Sequence, residues 1–333
     1  MAVRNYRKLF EYTLEAFATG DAMGMPTEFM DKETIRKRYK IVESILDPSE
    51  SFIHRNLRKG QVTDDTEQVL YLIDMFSKNQ EITPRKVAQT LYEWAVRTRA
   101  KEKGYIGPSS LKALEKIREG VKPEEAGKNG TTCGAAMRVL APALCVKKGD
   151  LSKLRENIFM CSIPTHNTNL ALEAAMALGY GYHFAAIGSD FDQIIDAIIQ
   201  GAVEGYKMSS NKFIGASTGE RIKLVTKIVK RDWPIEKVLD FIYDVIGTSM
   251  ASNEVVPAAV TIFMYAKDDV WLAIRMGASV GGDTDTIAAM AGALCCLYAG
   301  GHNIPSGIVE EVINTNSLNL EKYAEMIEKI FCQ

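Results

Sequence analysis

The chain has 333 residues, 47% of them hydrophobic, and its formal net charge is −2. This charge balance argues against a nucleic-acid-binding protein, which needs a surplus of Lys and Arg on one face to neutralise phosphates. The most apolar stretch, residues 287–297, is too short to cross a bilayer, which takes roughly 20 residues, so we expect no membrane contact.

Apolar residues recur at helical spacing along almost the whole chain. The clearest stripes are Tyr6, Leu9, Phe10, Leu14 and Phe17, then Val69, Leu70, Ile73 and Phe76, then Val87, Leu91, Trp94 and Ala95, and finally Leu170, Ala174, Ala175 and Leu178. Alternating patterns typical of strands are scarce, and only short pieces such as residues 40–45 are ambiguous. Pro and Gly lie between the periodic stretches, and no low-complexity linker divides them. The sequence therefore predicts an all-α fold, a single compact multi-helix domain over residues 1–333.

A polar segment, residues 20–28, follows the first helical stripe. We predict that the first helix ends at Gly20, as a C-cap glycine would, and that a loop containing Pro26 then presents Glu28. Taken alone, Glu28 is interpreted as a solvent-exposed loop carboxylate. Combined with the acidic segments that follow, it becomes a candidate general acid or base.

Two short acidic segments each precede a predicted helix. One is Thr63-Asp64-Asp65-Thr66 and the other is Gly281-Gly282-Asp283-Thr284-Asp285-Thr286. A single Asp or Thr in such a place most simply caps the helix N-terminus. Two adjacent carboxylates exceed what a cap needs, and their repulsion costs free energy unless a cation or a proton offsets it. Oxygen ligands grouped in this way suit Mg²⁺, Mn²⁺ or Ca²⁺ better than zinc.

Two other kinds of site carry an Asp-x-Asp pattern, and both fit the second segment poorly. An EF-hand loop that starts at Asp283 needs Gly at its sixth position and Glu at its twelfth, where this chain has Ala288 and Leu294. An aspartate-nucleophile phosphatase carries such a motif after a buried strand, whereas residues 270–276 are predicted to be helical and residues 279–282 to form a loop. We therefore interpret both segments as parts of a metal site.

The six cysteines form no CxxC pair and have no histidine at zinc-ligand spacing. Together with the lack of a signal-peptide pattern, this favours reduced thiols and a cytoplasmic location. A catalytic thiol at Cys133 is disfavoured because no base lies near it in the sequence. No large apolar surface stripe is evident, so we expect a monomer.

Five motifs follow one another along the chain. They are Gly20-Asp21-Ala22-Met23-Gly24 with Glu28, Thr63-Asp64-Asp65-Thr66, Ala136-Met137-Arg138-Val139, Thr165-His166, and Gly281-Gly282-Asp283-Thr284-Asp285-Thr286-Ile287. In this order they resemble the ADP-ribosylglycohydrolase family, the DraG-like hydrolases. The resemblance implies an all-α orthogonal bundle with two Mg²⁺ or Mn²⁺ ions at the base of a cleft. The metal ligands that it implies are Thr63, Asp64, Asp65, Asp283, Asp285 and Thr286, with Asp285 as the bridging ligand.

The resemblance implies a metal-dependent hydrolase that cleaves an N- or O-ribosyl bond, with ADP-ribosyl groups on a protein or a small molecule as substrates. Glu28, Asp65 and Asp285 would be its catalytic residues, and Glu28 would act on the attacking water or on a substrate hydroxyl. Two alternatives remain open: a glycosidase for another ribosyl compound, such as a nucleoside or sugar-phosphate derivative, and a catalytically silent ADP-ribose-binding relative. Retention of all the metal-site positions and of Glu28 favours the enzyme.

The chain departs from the family in its expected substrate loop. Relatives often carry Gly-Asn-Gly before the Ala-Met-Arg motif, and here Cys133 stands at the Asn position. The predicted substrate-binding residues are Thr132, Cys133, Gly134 and His166. For His166, a role as a loop or capping histidine is an equal alternative. The three histidines that follow no motif, and that are predicted to be structural or exposed, are His54, His183 and His302.

Overall fold

The computed structural model describes residues 4–78 and 81–333. Over these residues it contains nineteen α-helices, and its only β-type pairing there is one isolated antiparallel bridge between Thr132 and Ala251. The helices are α1 Tyr6–Gly24, α2 Lys32–Tyr39, α3 Asp64–Lys78, α4 Pro84–Arg97, α5 Ala100–Lys103, α6 Pro108–Arg118, α7 Pro123–Ala126, α8 Gly134–Met137, α9 Leu140–Leu144, α10 Leu151–Ser162, α11 Asn169–Ile187, α12 Phe191–Met208, α13 Thr218–Ile228, α14 Ile235–Phe241, α15 Ser252–Ala266, α16 Val270–Ser279, α17 Thr284–Ala299, α18 Ser306–Asn316 and α19 Leu320–Phe331. Short 3₁₀ helices at Met25–Thr27, Pro48–Glu50 and Gly127–Asn129, and a short π-helix at Ile242–Ile246, complete the regular structure. The prediction of an all-α fold is confirmed.

Polar side chains cap many of these helices. Asn5 before α1, Thr168 before α11 and Asp190 before α12 each accept the backbone N–H of the third residue on. Helix α17 differs, because Asp283 occupies its N-cap position but makes no side-chain capping hydrogen bond. The carboxylate of Asp283 is therefore available for other contacts.

Helices α11 and α17 lie in the centre of the fold. Nearly every residue of both is buried, as expected for helices that are apolar on all sides. Helix α11 packs along α12, and α17 packs against α1, α15 and α16. The core around them is continuous and includes side chains from α1 to α4, α6 and α8 to α19. None of the helices in the described residues combines the length and the apolar character that a membrane span requires.

Helix α1 does not end at Gly20, as predicted, but continues to Gly24. Both glycines lie against the backbone of α17, where an added Cβ would come within 2.6 Å of Ala288 at Gly20 and 2.4 Å of Asp285 at Gly24. Glycine therefore serves close helix packing here rather than helix termination. This packing places the end of α1, and Glu28 after it, beside the N-terminus of α17.

Candidate active site

One cleft collects most of the predicted site residues. Its walls come from the segment after α1, the loops before α3 and α6, the segment that leads into α8, and the N-termini of α3 and α17. The predicted residues that line it are Glu28, Asp64, Asp65, Thr132, Cys133, Gly134, Asp283, Asp285 and Thr286. Thr63 and His166 are not among the lining residues.

Four buried aspartates converge in this cleft from two helix N-termini. Asp64 and Asp65 lie in the first turn of α3, and Asp283 and Asp285 lie at the start of α17. Each is less than a tenth exposed, and no Lys or Arg lines the cleft in the described part of the chain. The positive ends of the two helix dipoles offset part of the repulsion between the carboxylates. They do not supply a full counter-charge, so most of the repulsion remains.

The turn that leads into α17 requires glycine. Gly281 and Gly282 have φ angles of 87° and 81°, and a Cβ on Gly282 would lie 2.1 Å from the carbonyl oxygen of Thr248. Hydrogen bonds hold the turn on two sides: the N–H of Asp283 donates to the carbonyl of Thr248 at 2.7 Å, and the N–H of Phe29 donates to the carbonyl of Gly282 at 2.8 Å. The two glycines thereby hold the start of α17 in the wall of the cleft.

Asp21 has no predicted role, yet it organises the start of α3. Its carboxylate accepts hydrogen bonds from the N–H and hydroxyl groups of Thr63 and Thr66, at 2.6–3.1 Å. These bonds satisfy donors that a helix N-terminus leaves free, although Asp21 belongs to α1. The Thr63 hydroxyl is thus engaged with Asp21, and its role as a metal ligand stays a prediction. The sequence does offer one signal for this role: Asp21 stands among small and apolar residues, which favours burial, and a buried carboxylate needs hydrogen-bond donors.

Burial and mutual repulsion favour the protonated forms of the acidic cluster. Burial, and next the charge of Asp283, raises the pKa of Asp285 to about 8. Burial, and next the charge of Asp285, raises the pKa of Asp21 to about 7 and holds the pKa of Asp64 and of Asp65 well above the usual range. Within the described residues, the buried Oδ2 of Asp65 has no hydrogen-bond partner. A buried oxygen without a donor, among carboxylates that repel one another, fits a bound divalent cation.

We expect the metal-free protein to lose stability as the pH rises from about 4 to about 8. Asp285 and Asp21 titrate near pH 4 in the unfolded chain but have pKa values of about 8 and about 7 in the folded chain. The folded state therefore binds more protons over this range, and the free energy of unfolding falls as the pH rises. Saturating Mg²⁺ should remove the decline, because the cation takes the place of the protons.

Denaturant unfolding of chelator-treated protein at several pH values, with and without added Mg²⁺, measures this dependence. A metal-free protein whose free energy of unfolding rises steadily between about pH 5 and about pH 8 would contradict it.

Glu28 is buried, and its partner is a histidine. Its Oε2 lies 2.5 Å from Nε2 of His54, and both side chains line the cleft. Burial raises the pKa of Glu28 well above its usual range and lowers the pKa of His54 to about 4. His54, predicted to be structural or exposed, therefore faces the candidate acid or base. No local sequence pattern signals this contact, because it forms only when the loop between α2 and α3 folds against the end of α1.

Residues 132–134, which we call the substrate loop, form another part of the cleft wall. The thiol of Cys133 donates to Oδ2 of Asp283 at 3.1 Å, and burial followed by the charge of Asp283 raises the pKa of Cys133 well above its usual range. Both effects disfavour the thiolate form that a nucleophile requires, and the absence of a catalytic thiol at Cys133 stays a prediction.

His166 lies behind the substrate loop. Its Nε2 pairs with Oγ1 of Thr132 at 2.9 Å and its Nδ1 with Oγ1 of Thr165 at 2.7 Å. The imidazole is fully buried, so its direct contact is with Thr132 rather than with the open cleft. Substrate binding by His166 stays a prediction.

Comparison with known proteins identifies the family. The sequence model of the ADP-ribosylglycohydrolase family matches residues 5–331. The chain belongs to the ADP-ribosylglycohydrolase family. The motif resemblance is thereby confirmed.

Two bacterial proteins are among the relatives of this chain. The chain is 30% identical over 314 residues to the uncharacterized protein YegU of Escherichia coli (strain K12), covering 94% of each chain. It is 25% identical over 291 residues to ADP-ribosyl-[dinitrogen reductase] glycohydrolase of Rhodospirillum rubrum, covering 87% of this chain and 85% of that one. A solved structure titled "ADP-ribosylglycohydrolase-related protein complex" matches with a TM-score of 0.68 at 20% identity, over 98% of this chain and 99% of that chain. This match shows that the two chains share the fold.

In this member of the family, Arg138 of the Ala-Met-Arg motif connects two walls of the cleft. Its fully buried guanidinium donates to Oε1 of Gln68 at 3.2 Å and to Oγ1 of Thr165 at 2.5 Å. Gln68 in turn donates to Oδ2 of Asp64 at 2.9 Å. Thr165 pairs with His166, which holds the substrate loop. Arg138 thus joins the acidic cluster to the substrate loop through hydrogen bonds, a role that the motif alone did not indicate.

Proposed function

We propose that this chain is a hydrolase that uses divalent metal ions to cleave an N- or O-ribosyl bond, with ADP-ribosyl groups on a protein or a small molecule as substrates. The observation that carries the proposal is the convergence of four buried aspartates and Glu28 in a cleft that, over the described residues, no Lys or Arg lines. Such a set of carboxylates costs free energy unless cations bind between them. The glycohydrolase activity in the name of the Rhodospirillum rubrum relative supports the substrate class.

The cleft offers enough oxygen donors for a binuclear centre. The residues that would hold the ions are Thr63, Asp64, Asp65, Asp283, Asp285 and Thr286. Bound there, two Mg²⁺ or Mn²⁺ ions would supply Lewis acidity toward a water molecule and the ribose hydroxyls. Asp65 would contribute an oxygen that has no donor among the described residues, and Asp285, which interacts with both Asp283 and Glu28, would suit a ligand shared by the two ions.

Glu28 is the residue best placed to move a proton. It comes from a different element than the aspartates, and its carboxyl lies against Nε2 of His54 and beside Asp285. Cleavage of a ribosyl bond needs a group that protonates the leaving atom or deprotonates the attacking water, while positive charge develops at C1″ of the ribose. Burial favours the protonated form of Glu28, and the neighbouring carboxylates favour the developing positive charge.

Glu28→Gln is expected to lower kcat by roughly 10²–10⁴-fold, the usual contribution of a general acid or base. The amide keeps the shape of the side chain but cannot exchange the proton, so Mg²⁺ affinity should change little. Rates of ADP-ribose release and calorimetric titration with Mg²⁺ measure the two quantities. Wild-type kcat in the folded variant would show that another group moves the proton.

A screen of ribosylated compounds tests the proposed function. ADP-ribosyl-arginine, ADP-ribosyl-serine, O-acetyl-ADP-ribose and free nucleosides are incubated with the protein, either with Mg²⁺ or with a chelator, and release of ADP-ribose or ribose is followed by chromatography. We expect Mg²⁺-dependent release from at least one ADP-ribosyl compound. Binding of ADP-ribose without release from any of them would instead indicate a silent binding protein.

A glycosidase for another ribosyl compound is the second candidate, and one contact favours it. Cys133 occupies the middle of the substrate loop, and its thiol is engaged with Asp283 at 3.1 Å, so it is not free to bind a substrate diphosphate. Release of ribose from a nucleoside or a sugar-phosphate derivative, without release from ADP-ribosyl compounds, would support this candidate.

A further inference from the structure

Three buried side chains in the cleft, two carboxylates and one imidazole, form a compact group. Glu28 follows the turn after α1, His54 lies in the loop between α2 and α3, and Asp285 lies in the first turn of α17. One ligand atom from each of the three residues lies within 4.8 Å of the other two. The group shares Asp285 with the predicted metal centre but adds a nitrogen atom, whereas the other predicted metal ligands offer only oxygen.

The backbone around His54 holds its imidazole in this group. The N–H of His54 donates to Oγ of Ser51 at 3.0 Å, and its carbonyl accepts the N–H of Leu57 at 2.9 Å. The side chain is only 2% exposed, and its Nε2 faces Oε2 of Glu28 at 2.5 Å. Its Nδ1 is buried and has no hydrogen-bond partner over residues 4–78 and 81–333. The ring is therefore oriented toward a carboxylate and is not committed to any other protein group.

The other histidines differ from His54 in this respect. His166 uses both ring nitrogens, with Thr132 and Thr165. Both ring nitrogens of His183 and of His302 are likewise engaged with protein atoms. His54 is the exception over the described residues: it uses only Nε2, and that nitrogen faces the carboxylates of the cleft rather than a structural partner outside it.

We propose that Glu28, His54 and Asp285 bind a first-row transition-metal ion such as Zn²⁺ or Co²⁺. Imidazole nitrogen combined with carboxylate oxygen suits these ions, whereas Mg²⁺ prefers oxygen ligands alone. The inference rests on the proposed function in one respect. An ion bound to Glu28 would withhold that carboxyl from proton transfer, so Zn²⁺ would inhibit Mg²⁺-supported hydrolysis.

Cobalt-loaded protein provides a test that does not depend on activity. When Nε2 of His54 binds Co²⁺, the ring carries its proton on Nδ1, and this proton should give a strongly shifted, exchangeable ¹H NMR resonance. We expect the resonance in the wild-type protein and its loss in His54→Gln. The matched control is His302→Gln, which removes the ring of a second histidine–carboxylate pair, His302 with Glu15 at 2.8 Å, and should keep the resonance.

Selective labelling adds a readout on the wild-type protein, which does not depend on how the variants fold. With ¹⁵N placed only in the four histidines, the shifted resonance of wild-type protein should split, which assigns it to a histidine. Failure of Co²⁺ to bind, absence of the split resonance, or its persistence in folded His54→Gln would overturn the inference. If the resonance is observed but no ribosyl compound is hydrolysed, the proposed hydrolase is rejected and the proposed metal site is retained. If Mg²⁺-dependent hydrolysis is observed without the resonance, only the proposed site at Glu28, His54 and Asp285 is rejected.

Discussion

Asp285→Asn is expected to lower Mg²⁺ affinity by more than about 100-fold and to abolish ribosyl hydrolysis with it. Loss of a residue that only supports a metal ligand costs roughly 10–100-fold in affinity, and Asp285 is predicted to be a ligand itself. The neighbouring carboxyl groups whose pKa its charge raises are Asp21, Glu28, Asp64 and Asp65. Asp285 therefore interacts with every part of the acidic cluster. Calorimetric titration with Mg²⁺ and the rate of ADP-ribose release measure the two effects.

The same substitution should stabilise the metal-free protein, because it removes one negative charge from a buried group of like charges without changing the shape of the side chain. Denaturant unfolding of chelator-treated protein above about pH 7 measures this gain. Asp244→Asn is the control: its side chain is 54% exposed and pairs with Lys32, so Mg²⁺ affinity and hydrolysis should not change. Mg²⁺ binding by Asp285→Asn with wild-type affinity would contradict the assignment of the metal centre.

Arg138→Met is expected to lower the free energy of unfolding by about 3–5 kcal/mol. Met fills much of the same space, so the loss comes from hydrogen bonds rather than from a large cavity. Without the guanidinium, the amide oxygen of Gln68, the carbonyl of Cys161 and the hydroxyl of Thr165 lose their donor. Each buried polar group left without a partner costs about 1–3 kcal/mol. Urea unfolding monitored by circular dichroism measures the total.

One further variant separates charge from geometry at this position, and another serves as the control. Arg138→Lys keeps a positive charge but lacks the planar fork that reaches several partners, so it should recover only part of the lost stability. Arg7→Met is the matched control, because the side chain of Arg7 is 45% exposed and its surface ion pair with Glu328 contributes little to stability. A loss for Arg138→Met no larger than the loss for Arg7→Met would contradict the connecting role of Arg138.

The helices and the aspartate motifs could be predicted because both are local features of the chain. Apolar residues at helical spacing report which face of each segment is buried, and this pattern indicated α-helices throughout. Asp64, Asp65, Asp283 and Asp285 each stand directly before or within a helix start, so adjacent residues already showed the crowding of charge. Residues 40–45, ambiguous in the sequence, form no strand in the structure.

Contacts between distant segments were not predictable in this way. Gly20 has the local pattern of a helix end, but the close approach of α17 requires it inside a continuous helix. Asp21 caps a helix other than its own, and His166 supports Thr132 from behind the cleft. His54 follows no motif, since its pairing with Glu28 depends on a loop that folds against the end of another helix.

The sequence by itself determined that this protein is helical, that its carboxylates gather at two helix starts, and that its motifs are those of ADP-ribosylglycohydrolases. Only the tertiary structure decided that these starts share one cleft, that Asp21 and Arg138 support it, and that His54 faces Glu28 within it. The physical reason is that helix formation and charge crowding depend on neighbours in sequence. Burial, hydrogen-bond pairing and pKa depend on which remote segments close packing brings together.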